Sequence, residues 1–251
     1  MTRCTVAILA VILSAACGPA PEPQEPVRFT VGLHPVSLME PDGWEHLDHG
    51  LEHRFHKDLL QISVADIGPV TRDGYRREIG HALELFRQER LEDARAHLSG
   101  LPLKAAVFTP REWDTIRGTW FKAVDGGLTK PLSDNDVEFA YRDLLEMVGS
   151  KQTEPLAELV HRIMPDLFAG THREVAEQEA VVVDGRPGVR LETWDRLSHD
   201  HRRSFLLILN HDNLLVVRME LGDYEEMKPV FDALVDSLSL EPDQGSTWSA
   251  S

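Results

Sequence analysis

The residues in this chain best suited to chemistry are its histidines, twelve in 251 residues. Six of them gather in two places. A hairpin with its tip at Asp48-His49-Gly50 would set Trp44 opposite Phe55, Glu45 opposite Arg54 and His46 opposite His53, with His56 further along the second strand. Two facing imidazoles beside a carboxylate suit zinc or copper, so His46 and His53 are the candidate metal ligands. No local spacing fixes a third. The second group, His199-Asp200-His201, occupies a turn between later strands. Histidines at turns and strand ends are ordinarily solvated and unliganded, which is the competing reading. The chain has no His-Glu-x-x-His, no Gly-x-Ser-x-Gly, no P-loop and no Gly-rich dinucleotide fingerprint, and no spacing pairs a nucleophile with its base. No catalytic residue and no cofactor is assigned on these grounds. Trp44, Trp113, Trp120 and Trp194 read as core or core-edge residues rather than a stacking platform.

The other reactive side chain is Cys17. It follows the basic Arg3, an apolar run over residues 5–16 and the small residues Ser14-Ala15-Ala16. That run is too short to span a bilayer, which takes roughly 20 residues, and has the layout of a secretory signal. With a cysteine directly behind the small residues, the segment resembles a bacterial lipoprotein signal, in which the cysteine is lipidated, palmitate included, and becomes the first mature residue. An ordinary signal peptide cut after Ala16 or Ala20 is the alternative, but it would leave a free thiol on an exported protein. Cys4 lies inside the signal, so the mature chain would form no internal disulfide. Residues 18–26 contain four prolines, which hold the backbone extended and bury almost nothing. The expected organisation is a signal over residues 1–16, a lipidated Cys17 and Pro-rich tether over 17–35, one α+β domain over 36–240 with a helical insert at about 101–170, and an unfolded polar tail over 241–251. Gly18, rather than Asp, resembles the sorting signal for the outer membrane, which would place the protein on its periplasmic side.

Charge narrows the partners. The chain carries 26 basic and 42 acidic residues, a net charge of −16. Such a surface repels nucleic acid and anionic headgroups, which both require basic patches, so nucleic-acid binding is set aside. The acidity reads chiefly as a solvated surface that keeps an exported body soluble.

Periodicity sketches the elements that would position these residues. Residues 36–68 alternate as strands around the turn Pro41-Asp42-Gly43. Residues 71–98 carry a helical stripe from Tyr75 through Ile79, Leu83 and Phe86 to Leu91 and Leu98, which predicts one helix. Thr109-Pro110-Arg111-Glu112 is a capping box that opens another helix, and Ser133 or Asp134 begins the next. A further helix starts at Thr153-Glu154-Pro155, and the last two are expected to form a helical hairpin whose stripes pack on each other or on the rest of the domain. From Arg173 the chain returns to strands, with turns at residues 184–188, 198–201 and 210–213 that specify an antiparallel meander. Asp223 with Glu226 caps a final helix bearing Met227, Val230, Phe231, Leu234 and Leu238.

Strands, a helix, a long meander and that closing amphipathic helix resemble the PsbP-like fold group. Pro41-Asp42-Gly43-Trp44 is similar to the Pro-x-Gly-Trp that opens many members, and Asp184-Gly185-Arg186-Pro187-Gly188 to their mid-chain turn. The resemblance covers roughly residues 36–98 and 173–240. It implies an α+β fold, an antiparallel sheet covered by helices on both sides, and functions that are mostly binding or assembly. It brings no catalytic set. The functional expectation is a lipid-anchored cell-envelope protein that contacts the membrane through its anchor and a protein partner through the sheet edge or the helical insert. A carrier of an apolar ligand, and a metal-dependent or hydrolytic envelope enzyme, are the alternatives.

Overall fold

The computed structural model describes residues 25–32, 34–102, 104, 107–125, 133–149, 156–168, 172–197 and 201–240. Cys17, His199, Asp200, the helix start at 153–155 and the tail at 241–251 lie outside them. The architecture is α+β with antiparallel sheets, as expected.

Val27, Phe29 and Val31 alternate with Arg28 and Thr30, the period of a half-buried strand. Residues 27–32 and 34–35, assigned above to the tether, therefore belong to the folded body. β1 (Val27–Val31) turns at Gly32 and returns as β2 (His34–Leu38), which also pairs the short β10 (Ser239–Leu240). Gly32 has φ +60, and a β-carbon there would collide with the carboxylate of Asp66.

The main sheet has seven strands in the order β3-β4-β5-β9-β8-β7-β6, antiparallel throughout. They are β3 (Glu45–Asp48), β4 (Glu52–Lys57), β5 (Leu60–Pro69), β6 (Arg173–Val183), β7 (Arg186–Asp195), β8 (Arg203–Asn210) and β9 (Asn213–Leu221). The meander β6 to β9 turns at Asp184-Gly185 and at His211-Asp212, where all four residues have positive φ. This is the two-residue type I′ hairpin whose twist matches the strands. β9 then pairs β5, joining the meander to the first hairpin.

Helices cover both faces. On one side α6 (Tyr224–Ser237) buries Met227, Phe231 and Leu234 against Ile62, Val64, Leu206, Ile208 and Val217, together with Val36 and Leu38 of the small sheet. On the other, α5 (Leu156–Leu167) sets Leu159, Val160 and Ile163 on Val189, Leu191, Leu207 and Val216. Each fully buried side chain contributes about 1.5 to 3 kcal/mol, so three anchors suffice to hold α5 on the sheet.

A third core lies among the remaining helices, α1 (Arg72–Arg87), α2 (Leu91–Ser99), α3 (Pro110–Asp125) and α4 (Asp134–Val148). Two expectations are corrected here. The single helix predicted over 71–98 breaks after Arg87, because Glu89 takes φ +63 while the Arg90 N–H bonds Leu85 O and the Glu89 N–H bonds Phe86 O. That is a Schellman closure with a non-glycine at its left-handed position. The helical hairpin also divides: Val137, Tyr141 and Leu144 of α4 join Tyr75, Ile79, Ile116 and Trp120, whereas α5 leaves for the sheet.

Candidate functional site

The first hairpin does bring His46 and His53 together, although in another register. His46 stands opposite Phe55 and Asp48 opposite His53, a register two residues displaced from the expected alignment. The cause is local. The Asp48 carboxylate accepts the Gly50 N–H at 2.7 Å and the His49 N–H bonds Glu52 O at 2.9 Å, so the turn closes on Asp48 and His53. His46 and His53 become diagonal neighbours on one face, 2.8 Å apart between Nε2 and Nδ1. Phe29 of β1 packs over both rings.

All four ring nitrogens are engaged. His46 Nδ1 lies 2.8 Å from Glu40 Oε1, and His53 Nε2 lies 3.0 Å from Thr30 O and 3.4 Å from Asp48 Oδ1. The chain of contacts ends in an acceptor on each side. Two of these contacts are hydrogen bonds, His46 Nε2 with His53 Nδ1 and His53 Nε2 with Thr30 O, and Glu40 adds a charge contact at His46 Nδ1. Asp48 is held below the ordinary carboxylate range, first by the Gly50 N–H, which outweighs a desolvation penalty, and then by the nearby His53, His46 and His49.

In this arrangement the two nitrogens are hydrogen-bonded to each other rather than spaced around an ion. Two nitrogens each about 2.0 to 2.1 Å from one tetrahedral zinc stand about 3.3 Å apart, farther than the 2.8 Å observed. Among the described residues no group of three or more His, Cys, Asp or Glu side chains could hold an ion. His56 pairs instead with Glu45 at 3.3 Å.

A second histidine network was not foreseen. His34 and Asp66 are both almost fully buried, 3.4 Å apart between Nε2 and Oδ2, an electrostatic contact rather than a well-formed hydrogen bond. The Asn210 amide donates to His34 Nδ1 at 2.7 Å, and Arg186 Nε donates to Asn210 Oδ1 at 2.6 Å. Burial raises the Asp66 carboxyl, but His34, the Gly68 N–H and Asn213 together bring it below its ordinary value. These bonds clamp β2, β5 and β8 together. Sequence gave little warning, because the four residues are distant along the chain.

The remaining candidate is the edge of the main sheet. β6 is eleven residues long and, among the described residues, pairs only β7. Beside it α5 and β6 enclose an open groove of about 690 Å³, lined by the apolar Met164, Phe168 and Val175 and by the polar His161, Arg173, Glu174 and Gln178. Residues 177–180 are exposed, as is Val182 at 74 %. The pairings Glu177 with Glu192 and Glu179 with Arg190 put both β6 carboxylates on the α6 side, where Glu192 accepts from Tyr224 and Arg190 bonds Asp232. Gln178 faces Leu191 and Ala180 faces Val189, so these side chains and Val182 share the α5 side.

No protein-family model and no curated protein matches the chain. Among solved structures it is similar to cyanobacterial PsbP (CyanoP) from Synechocystis sp. PCC 6803, with 13% identity over 91% of this chain and 99% of that one and a TM-score of 0.41. It is also similar to PA94 from Pseudomonas aeruginosa, a protein of unknown function, with 14% identity over 37% of this chain and 67% of that one and a TM-score of 0.32. Likenesses of this size transfer no function, and the α+β class rests on the strands and helices themselves.

Proposed function

We propose that this protein is a non-catalytic binding or assembly module of the bacterial cell envelope, held to a membrane by lipid on Cys17 and meeting a protein partner along β6. The observation that carries the reading is the eleven-residue edge strand, exposed and paired on one side among the described residues. An open edge offers a row of backbone donors and acceptors that another extended chain can complete. The Pro-rich segment before β1 supports the anchor, since a spacer lets the body stand off a surface. The helical insert serves the reading less well. α3 and α4 bury Ile116, Trp120, Val137 and Leu144 against α1, so deleting them would strip α1 of its cover and confound any loss of binding.

A photo-crosslinking residue at Val182 in intact cells tests the edge, with Leu47 on β3 as the opposite-edge control. Adducts at 182 and none at 47 are expected; equal labelling, or none at either, overturns the assignment to β6. Labelled palmitate tests the anchor. It should enter the native chain and not a Cys17→Ser variant, and equal labelling of both would remove the membrane from the account.

The groove beside α5 favours a second reading, a carrier of an apolar ligand, because Met164, Phe168 and Val175 give it an apolar wall. Mass spectrometry of organic extracts from purified protein decides it, and an extract free of lipid disposes of the carrier.

A further inference from the structure

The two faces of β6 differ, and the difference specifies what fits there. On the α6 side stand Glu177 and Glu179, exposed and without an ion pair among the described residues. The cations that could neutralise them are occupied. Arg190, the cross-strand neighbour of Glu179, gives its guanidinium to Asp232 at 2.6 Å, and Lys228 reaches the same carboxylate at 2.6 Å and Glu192 at 3.7 Å. Two carboxylates are thus left uncompensated on that face. On the α5 side the exposed residues are Gln178, Ala180 and Val182, the last two continuing the apolar surface of Val175, Met164 and Phe168 at the groove.

We infer that β6 takes an extended polypeptide segment of alternating basic and apolar residues, added as an eighth antiparallel or parallel strand. This rests on the edge reading above and names the chemistry of its partner. Side chains of an incoming strand alternate between the faces, so one set meets Glu177 and Glu179 while the other covers Ala180, Val182 and the groove. The regular register of β6 from Glu177 to Val183 offers seven residues for pairing; the irregularity between Val175 and Glu177 ends it on the other side. A second copy of this chain paired antiparallel about Gln178 is disfavoured, because it sets Glu177 of each opposite Glu179 of the other, and like charges directly opposed are destabilising. The net charge of −16 adds to that repulsion.

The probe is a nine-residue peptide of alternating Lys and Val, compared with alternating Glu and Val and with a peptide of the same Lys and Val content in blocks. Binding to the full chain is measured by fluorescence anisotropy at low and at physiological salt. The Lys/Val alternation should bind at least about tenfold more tightly than either control and weaken with salt. A Glu177→Lys, Glu179→Lys variant, whose exposed substitutions leave the core untouched, should reverse the preference toward the Glu/Val peptide. A Val182→Asp variant should weaken binding of the Lys/Val peptide with the charge pair intact. Equal binding of the three peptides, or a preference that the charge reversal leaves unchanged, overturns the inference. If crosslinks at 182 persist in that event, the edge reading stands and only the partner chemistry is wrong. If they too are missing, both fall.

Discussion

Arg190 and Glu179 face each other across β6 and β7, yet the Arg190 guanidinium turns away to Asp232, 2.6 Å from Oδ1. The edge strand keeps its charge because a helix residue takes the cation. Asp232→Asn should release both Arg190 and Lys228 toward Glu179 and Glu192. The expected outcome is Lys/Val peptide affinity lowered up to about tenfold, with a stability change within about 1 kcal/mol for these partly exposed pairs. Peptide titration alongside thermal melting checks it.

Glu112 couples helix capping to an ion pair. Its carboxylate bonds Arg72 Nη2 at 2.6 Å and the Thr109 N–H at 2.9 Å, and Arg72 also reaches Val148 O, so α1, α3 and the end of α4 meet there. Arg72 first, then Thr109, lowers the Glu112 pKa from 4.5 to about 2. The stabilisation is complete above pH 4.5 and is lost as pH falls toward about 2. Glu112→Gln should cost about 1 kcal/mol at neutral pH after allowance for solvent screening, and the gap from the native protein should close across that acid window. Chemical denaturation at several pH values measures both.

Asp66 is the most consequential buried charge. Removing it leaves the His34 ring and the Asn213 amide without their carboxylate in a dry site, so Asp66→Ala should destabilise by about 3 kcal/mol. Because its pKa is depressed, its contribution is present above about pH 4 and fades below that. A urea titration of the variant at neutral pH gives the magnitude, and a loss under 1 kcal/mol would contradict the buried clamp.

The paired histidines make a prediction about metal. His46 Nε2 and His53 Nδ1 are hydrogen-bonded to each other, and His53 Nε2 is bonded to Thr30 O, so a shared ion would have to break the pair. In nitrogen-15 NMR of labelled histidine, added zinc should leave these resonances in place. A zinc-induced shift confined to His46 and His53 would contradict the arrangement.

These residues also show what could be read in advance. Thr109 with Glu112, and Ser133 with Asp136, cap their helices as their spacing indicates, since a capping box is a contact within four residues. Asp184-Gly185 made its hairpin for the same reason. The His46 and His53 pair was legible, but not its register, which a single Asp48 carboxylate bond to Gly50 decided. β1 was missed because the prolines before it masked a short alternation. The edge position of β6 could not be seen locally at all: it follows from β9 pairing β5, residues about 150 apart, which leaves the first strand of the meander outermost. Nor could the loss of Arg190 to α6 be inferred from a cross-strand pattern.

Hydrogen exchange along β6 addresses the central claim most directly. In the free protein, the outward-facing amides of residues 177–183 should exchange quickly, and saturating Lys/Val peptide should protect them while the β3 edge at residues 45–48 is unchanged. Protection elsewhere, or bound peptide with no slowing along β6, would contradict recognition by the sheet edge.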